Sequence, residues 1–94
     1  MFTFINRFTV DGDTAEFEKR LADITAHMTR QPGFHSHRLY RSGKDPKVYV
    51  ELAEWEDAAA HQRAARTEEF LAAVRHVQQL ATADPAPYTL LTVH

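Results

Sequence analysis

The hydrophobic period of this chain switches along its length, and that switch limits the folds open to it. Over residues 2–10, Phe2, Phe4, Phe8 and Val10 share one phase of an alternation, while Thr3, Ile5, Arg7 and Thr9 share the other. This is the pattern of a strand with one face turned inward. Asp11-Gly12 is a turn signal. Asp13 then fits a helix cap, with Glu16 three positions on. Phe17, Leu21, Ile24 and Met28 recur at spacings of four, three and four, one apolar stripe on a helix over 14–30. Gln31-Pro32-Gly33 ends it. Residues 34–41 (FHSHRLYR) read as a polar-rich second strand. Ser42-Gly43-Lys44-Asp45-Pro46 joins it, as a hairpin, to a third strand over 47–55. There Val48-Val50-Leu52 and Tyr49-Ala53-Trp55 make both phases bulky, so both faces should touch something. Asp57 caps an Ala-rich helix over 58–65. Thr67 caps another over 68–80, with Phe70, Ala73, Val74, Val77 and Leu80 inward. Asp84-Pro85-Ala86-Pro87 reads as a breaker, which leaves 88–93 (YTLLTV) as the last strand.

Strand, helix, strand, strand, helix, strand, with right-handed crossovers, predicts an α+β, ferredoxin-like split β-α-β fold with a four-stranded antiparallel sheet. At 94 residues the chain reads as one domain over 1–94 with a thin core. The helices cover only one face of such a sheet. The other face carries Ile5 and Val48-Val50-Leu52, and a homodimer is the simplest cover for it. The competing reading is a monomer whose open face is half-polar, since Thr3, Arg7 and Thr9 lie there too.

Several function classes fall away. There is no cysteine, so neither a disulfide nor thiol chemistry is available. The formal charge is −2 with signs interspersed, and no basic tract suggests nucleic acid. No apolar run approaches the ~18 residues of a membrane span. MFTFINRF lacks the basic start and long apolar stretch of a signal peptide, so a cytoplasmic protein is expected. Only 3 glycines are present and no phosphate loop is formed. No serine sits in a nucleophile elbow.

Two residues stand out against this background. Asn6 interrupts the inward phase of Phe2, Phe4 and Phe8, where an unpaired carboxamide costs about 1–3 kcal/mol. It requires either a structural hydrogen bond or a ligand, and an amide can donate to an oxygen that gains charge in a reaction. Trp55 ends the third strand, either as a core ring or as a wall that holds a flat substrate. Of the 6 histidines, His35 and His37 are two apart and share a face in a regular strand, yet no cysteine or carboxylate completes a metal set. They read as surface residues. His61 and His76, on the later helices, are open as base, iron ligand or solvated side chain.

The ordered set Asn6-Arg7-Phe8-Thr9-Val10, Glu16-Phe17-Glu18, Gln31-Pro32-Gly33-Phe34, Tyr49-Val50-Glu51, Ala53-Glu54-Trp55 and Glu69-Phe70 resembles the antibiotic biosynthesis monooxygenase family, over about residues 4–93. Within that family the chain is most similar to the small oxygenases of aromatic polyketide pathways. The resemblance implies a dimeric α+β barrel. It also implies a monooxygenase without metal or other cofactor, which oxidises an anthrone-like or naphthacenone carbon to a quinone with molecular oxygen. The deprotonated substrate itself supplies the electron, and water can take the proton. Asn6 and Trp55 match the asparagine and tryptophan implicated in such relatives. The pocket implied between sheet and helices would be lined by Phe4, Phe8, Tyr49, His61, Phe70 and Val74. A polyketide cyclase of the same fold is the alternative. A haem-degrading relative is a further one, but Val74 stands where its iron-binding histidine would be, and His76 lies about 200° further around the helix.

Overall fold

The computed structural model describes residues 1–94. Its elements run β1 (Phe2–Val10), α1 (Thr14–Met28), β2 (Phe34–Arg41), β3 (Val48–Trp55), α2 (Ala58–Ala65), α3 (Glu68–Gln78) and β4 (Ala81–Tyr88). The strands form one four-stranded antiparallel sheet in the order β2-β3-β1-β4, the split β-α-β arrangement that chain order predicts.

The sheet is open, which corrects the expectation of a barrel. β2 and β4 are its edges and no pairing joins them. Closure is out of reach for so few strands, since even about eight leave only enough interior for side chains to fill. Helices cover the inward face instead.

The last strand is also displaced from the predicted position. β4 runs through Asp84-Pro85-Ala86-Pro87, the segment that reads as a breaker, and residues 89–94 lie beyond it without regular structure. An edge strand needs ladder bonds on one side only. Pro85 and Pro87 share one phase, opposite Asn6 and Phe4. Their missing N–H groups are harmless if that phase faces the free edge. α1 ends at Met28 rather than 30, and α3 at Gln78 rather than 80. Differences of this size are ordinary at fraying helix ends.

Local chemistry fixes the helix starts. The Asp13 carboxylate accepts from the backbone N–H groups of Ala15 (2.8 Å) and Glu16 (3.3 Å), and Asp57 from that of Ala60 (2.8 Å). The Thr67 hydroxyl accepts more weakly from Phe70 N–H at 3.4 Å. Each cap satisfies a donor that the first turn leaves free. Between α1 and β2, Gly33 adopts φ +88°, and a Cβ there would stand 2.6 Å from Ala60 Cβ. Only glycine combines that left-handed backbone with so close an approach of α2.

The stripe Phe17, Leu21, Ile24 and Met28 is buried as α1 packs on the sheet. At one end of the sheet the core is solid. The Phe17 ring meets Phe8 at 5.1 Å and Tyr49 at 4.9 Å between centroids. Tyr49 donates its hydroxyl hydrogen to Glu18 Oε2 at 2.6 Å. Burial first, then Glu18, pushes this phenol above its usual 10.0, while Arg41 opposes the rise. The opposite end of the same interface is hollow.

Candidate functional site

A cavity of about 300 Å³ lies between the sheet and the helices. Its floor is the inward phase of the strands: Phe4, Asn6 and Phe8 from β1, and Glu51, Ala53 and Trp55 from β3. Leu21, Ile24 and Met28 of α1 roof it, with Phe70, Val74 and Val77 of α3. His61 and Ala65 come from α2. Alanines at 53, 65, 81 and 83 around the wall leave the space that larger side chains would fill. The volume is at the low end of the range for small-molecule sites, and the lining is mostly apolar as such sites are.

The two residues that stand out in the sequence border this one space. Asn6 is only 9% exposed, and its Oδ1 is buried with no hydrogen-bond partner. A structural hydrogen bond therefore does not account for it. Trp55 is 1% exposed, with its ring edge-on to Phe34 (5.4 Å) and to His61 (5.6 Å). The His61 ring also lies over Phe4, with centroids 4.5 Å apart. Burial lowers the His61 pKa from its ordinary 6.5, against a smaller opposing pull from the Glu51 carboxylate. The imidazole therefore favours its neutral form at neutral pH.

Phe4, Phe8, His61, Phe70 and Val74 all line the cavity. Tyr49 does not: it belongs to the solid core beside Phe17 and Glu18, which corrects its assignment to the pocket. His76 is exposed and outside the lining. No group of three or more His, Cys, Asp or Glu is placed to hold a metal ion.

Sequence reasoning misses one polar pair in this lining. His37 Nε2 lies 2.9 Å from Glu51 Oε2, with side chains only 17% and 13% exposed. The cause of the miss is a β-bulge. The register of β2 on β3 passes from Phe34↔Trp55 to Ser36↔Glu54. The extra residue shifts the alternation by one, so Phe34 and His37 share the inward face. His35 stays exposed and meets Glu56 at 2.6 Å. The two histidines thus do not share a face, which corrects the strict alternation used for them. Glu51 lies directly across from Asn6 on the neighbouring strand, within the separation at which cross-strand side chains interact.

Comparison with known proteins places the chain in a family. The family model described as antibiotic biosynthesis monooxygenase matches residues 1–76. The deoxynogalonate monooxygenase of Streptomyces nogalater is 40% identical over 87 residues, covering 93% of this chain and 74% of the relative. The crystal structure of SnoaB, a cofactor-independent oxygenase from Streptomyces nogalater, superposes with a TM-score of 0.94 at 38% identity, covering 98% of this chain and 94% of that one. A conserved protein from Methanosarcina mazei Go1 has a TM-score of 0.79 at 14% identity over 94% of this chain and 92% of its own, a likeness of fold alone.

Proposed function

The chain belongs to the antibiotic biosynthesis monooxygenase family and is a monooxygenase of an aromatic polyketide, and we propose that it oxidises an anthrone-like or naphthacenone carbon to a quinone with molecular oxygen. The observation that carries the reading is an orphaned carboxamide, Asn6, beside Trp55 in one largely apolar cavity. A polycyclic phenol fits both features. Its flat ring system fills an aromatic-lined space, and its O–H groups offer the donor that Asn6 Oδ1 lacks. The Asn6 N–H donors can in turn hold a substrate oxygen as it becomes an enolate, the arrangement that stabilises developing charge where water is excluded. Trp55 sets the plane of the rings.

The chemistry needs no electron source beyond the substrate. Loss of a proton from the reacting CH₂ leaves a delocalised carbanion. One electron passes to oxygen, and the radical pair joins through a C–O bond. Protonation gives a hydroperoxide. Loss of the second C–H proton, with cleavage of the O–O bond, leaves C=O and releases water. Each CH₂ thus consumes one O₂ and yields one C=O and one H₂O.

Oxygen uptake by chelator-treated protein with 1,8-dihydroxyanthrone tests this, with quinone formed in equal amount. Asn6→Ala and Trp55→Phe fold and lose rate. Full activity in both variants overturns their roles, and oxygen uptake no faster than in buffer overturns the oxygenase reading.

The proposal includes a homodimer. Ile5, Val50 and Leu52 stay only half-buried on the sheet face away from the helices. Leu90 and Leu91, which are 69% and 87% exposed, border one groove with Ile5 and Leu52. Exposed apolar side chains gathered in this way mark an interaction site. Sedimentation at micromolar concentration gives twice the chain mass; a monomer overturns the pairing.

A further inference from the structure

The His37–Glu51 pair is unexplained by the fold. Both side chains are largely enclosed, so the carboxylate gives up hydration that a single hydrogen bond to an imidazole offsets only in part. It is also the product of a specific device, because the bulge before Ser36 is what turns His37 inward. Bulges of this kind re-aim side chains beside active sites. The pair lies in the same cavity as Asn6, and Glu51 faces Asn6 across the β1–β3 ladder. His37 engages Oε2 alone, and Oε1 carries no hydrogen bond from the chain.

We propose that Glu51 is the base that removes the acidic C–H proton of the substrate, with His37 as the residue that positions it. This rests on the oxygenase reading above, and it replaces solvent water as the proton acceptor. As the C–H bond breaks, the proton passes to Glu51 Oε1 and the electron pair stays in the rings as the enolate, whose oxygen Asn6 holds. The same proton returns to the peroxide anion once the C–O bond has formed. In the last step Glu51 takes the second C–H proton and gives it to the hydroxide expelled from the O–O bond, leaving as water. The carboxylate ends as it began. His37 fixes one carboxylate oxygen by its N–H and leaves the other for the substrate. One further titratable side chain faces this space, His61 of α2; the linings from α1, α3 and β4 contribute none.

Proton abstraction can be read without oxygen. Under anaerobic conditions in D₂O, mass spectrometry follows deuterium entering the methylene group of 1,8-dihydroxyanthrone. The wild-type protein accelerates exchange over buffer. Glu51→Gln keeps the size of the side chain and an acceptor for His37, and it loses about 10²-fold or more of that acceleration. His37→Gln lowers the exchange rate and the aerobic kcat with KM little changed, a split that general loosening of the fold would not give. The double variant is no slower than Glu51→Gln, as for residues acting as one unit. Quenching of Trp55 fluorescence by the probe verifies that each variant still binds. Wild-type exchange in both Glu51→Gln and His37→Gln overturns the proposal, and so does loss of exchange in His61→Gln alone. Exchange by the wild type without oxygen uptake in air would retain the base and reject the oxygenase reading. Oxygen uptake with unaffected exchange in the variants would do the reverse.

Discussion

Replacing Asn6 by leucine should make this protein more stable and nearly inactive. The amide Oδ1 is buried without a partner, between Phe4 and Phe8 on its own strand and across from Glu51, whose Oε2 is already engaged by His37. A buried polar atom with no hydrogen bond costs about 1–3 kcal/mol, a cost that an apolar side chain of similar branching does not carry. The extra volume of leucine has room in the adjoining cavity of about 300 Å³, so overpacking does not offset the gain. For a domain of this length each kcal/mol moves Tm by roughly 4–8 °C. Asn6→Leu is therefore expected to raise Tm by at least about 4 °C. Calorimetry at fixed protein concentration measures this, because association would otherwise move Tm by mass action. Oxygen uptake with 1,8-dihydroxyanthrone should fall by about 10²-fold or more, the loss typical of one donor to a developing oxyanion. A lower Tm would mean that the carboxamide is satisfied in the resting protein, and the argument that it is held in reserve for a ligand would fail. Undiminished oxygen uptake would refute it from the other side.

Three further outcomes follow from the same structure. Gly33→Ala should cost more than about 1 kcal/mol in denaturant unfolding, since φ +88° suits only glycine and the new Cβ would sit 2.6 Å from Ala60 Cβ; Ala60→Gly in the same chain should recover part of the loss, and no recovery would place the whole cost in the backbone. The pKa of His61 is lowered below 6.5 by burial, so below that pH the unfolded chain binds a proton that the native protein does not. Its contribution to stability is lost as pH falls from 6.5 through the folded value, and a shallower acid slope in His61→Phe checks this. The Tyr49 phenol is raised above 10.0 by burial and by Glu18, so its contribution is whole below pH 10 and lost as pH rises through the folded value. Tyr49→Phe should resist alkaline unfolding better than the wild type, measured by circular dichroism.

The fold and the site were legible wherever one side chain's surroundings follow from its neighbours in sequence. The α1 stripe and the caps at Asp13, Asp57 and Thr67 are local, and all stand where the sequence places them. Asn6 and Trp55 were legible for a related reason: each breaks or ends an apolar phase, and phase survives as long as a strand is regular. The failures come where it is not, or where the environment is set from far along the chain. Pro85 and Pro87 look like breakers until β4 is known to be an edge, a fact of sheet order that no local pattern carries. Tyr49 shares the phase of Trp55, but the interface is solid at one end and hollow at the other, and periodicity gives a face without a position along it. His37 is the most instructive case. Two-residue counting from His35 put it on the surface, and a single bulge residue reversed that, bringing a histidine to a carboxylate that faces Asn6. The titratable groups of this cavity thus come from β2, β3 and α2, and it is the register of the strands that brings His37 and Glu51 together beside Asn6 of β1.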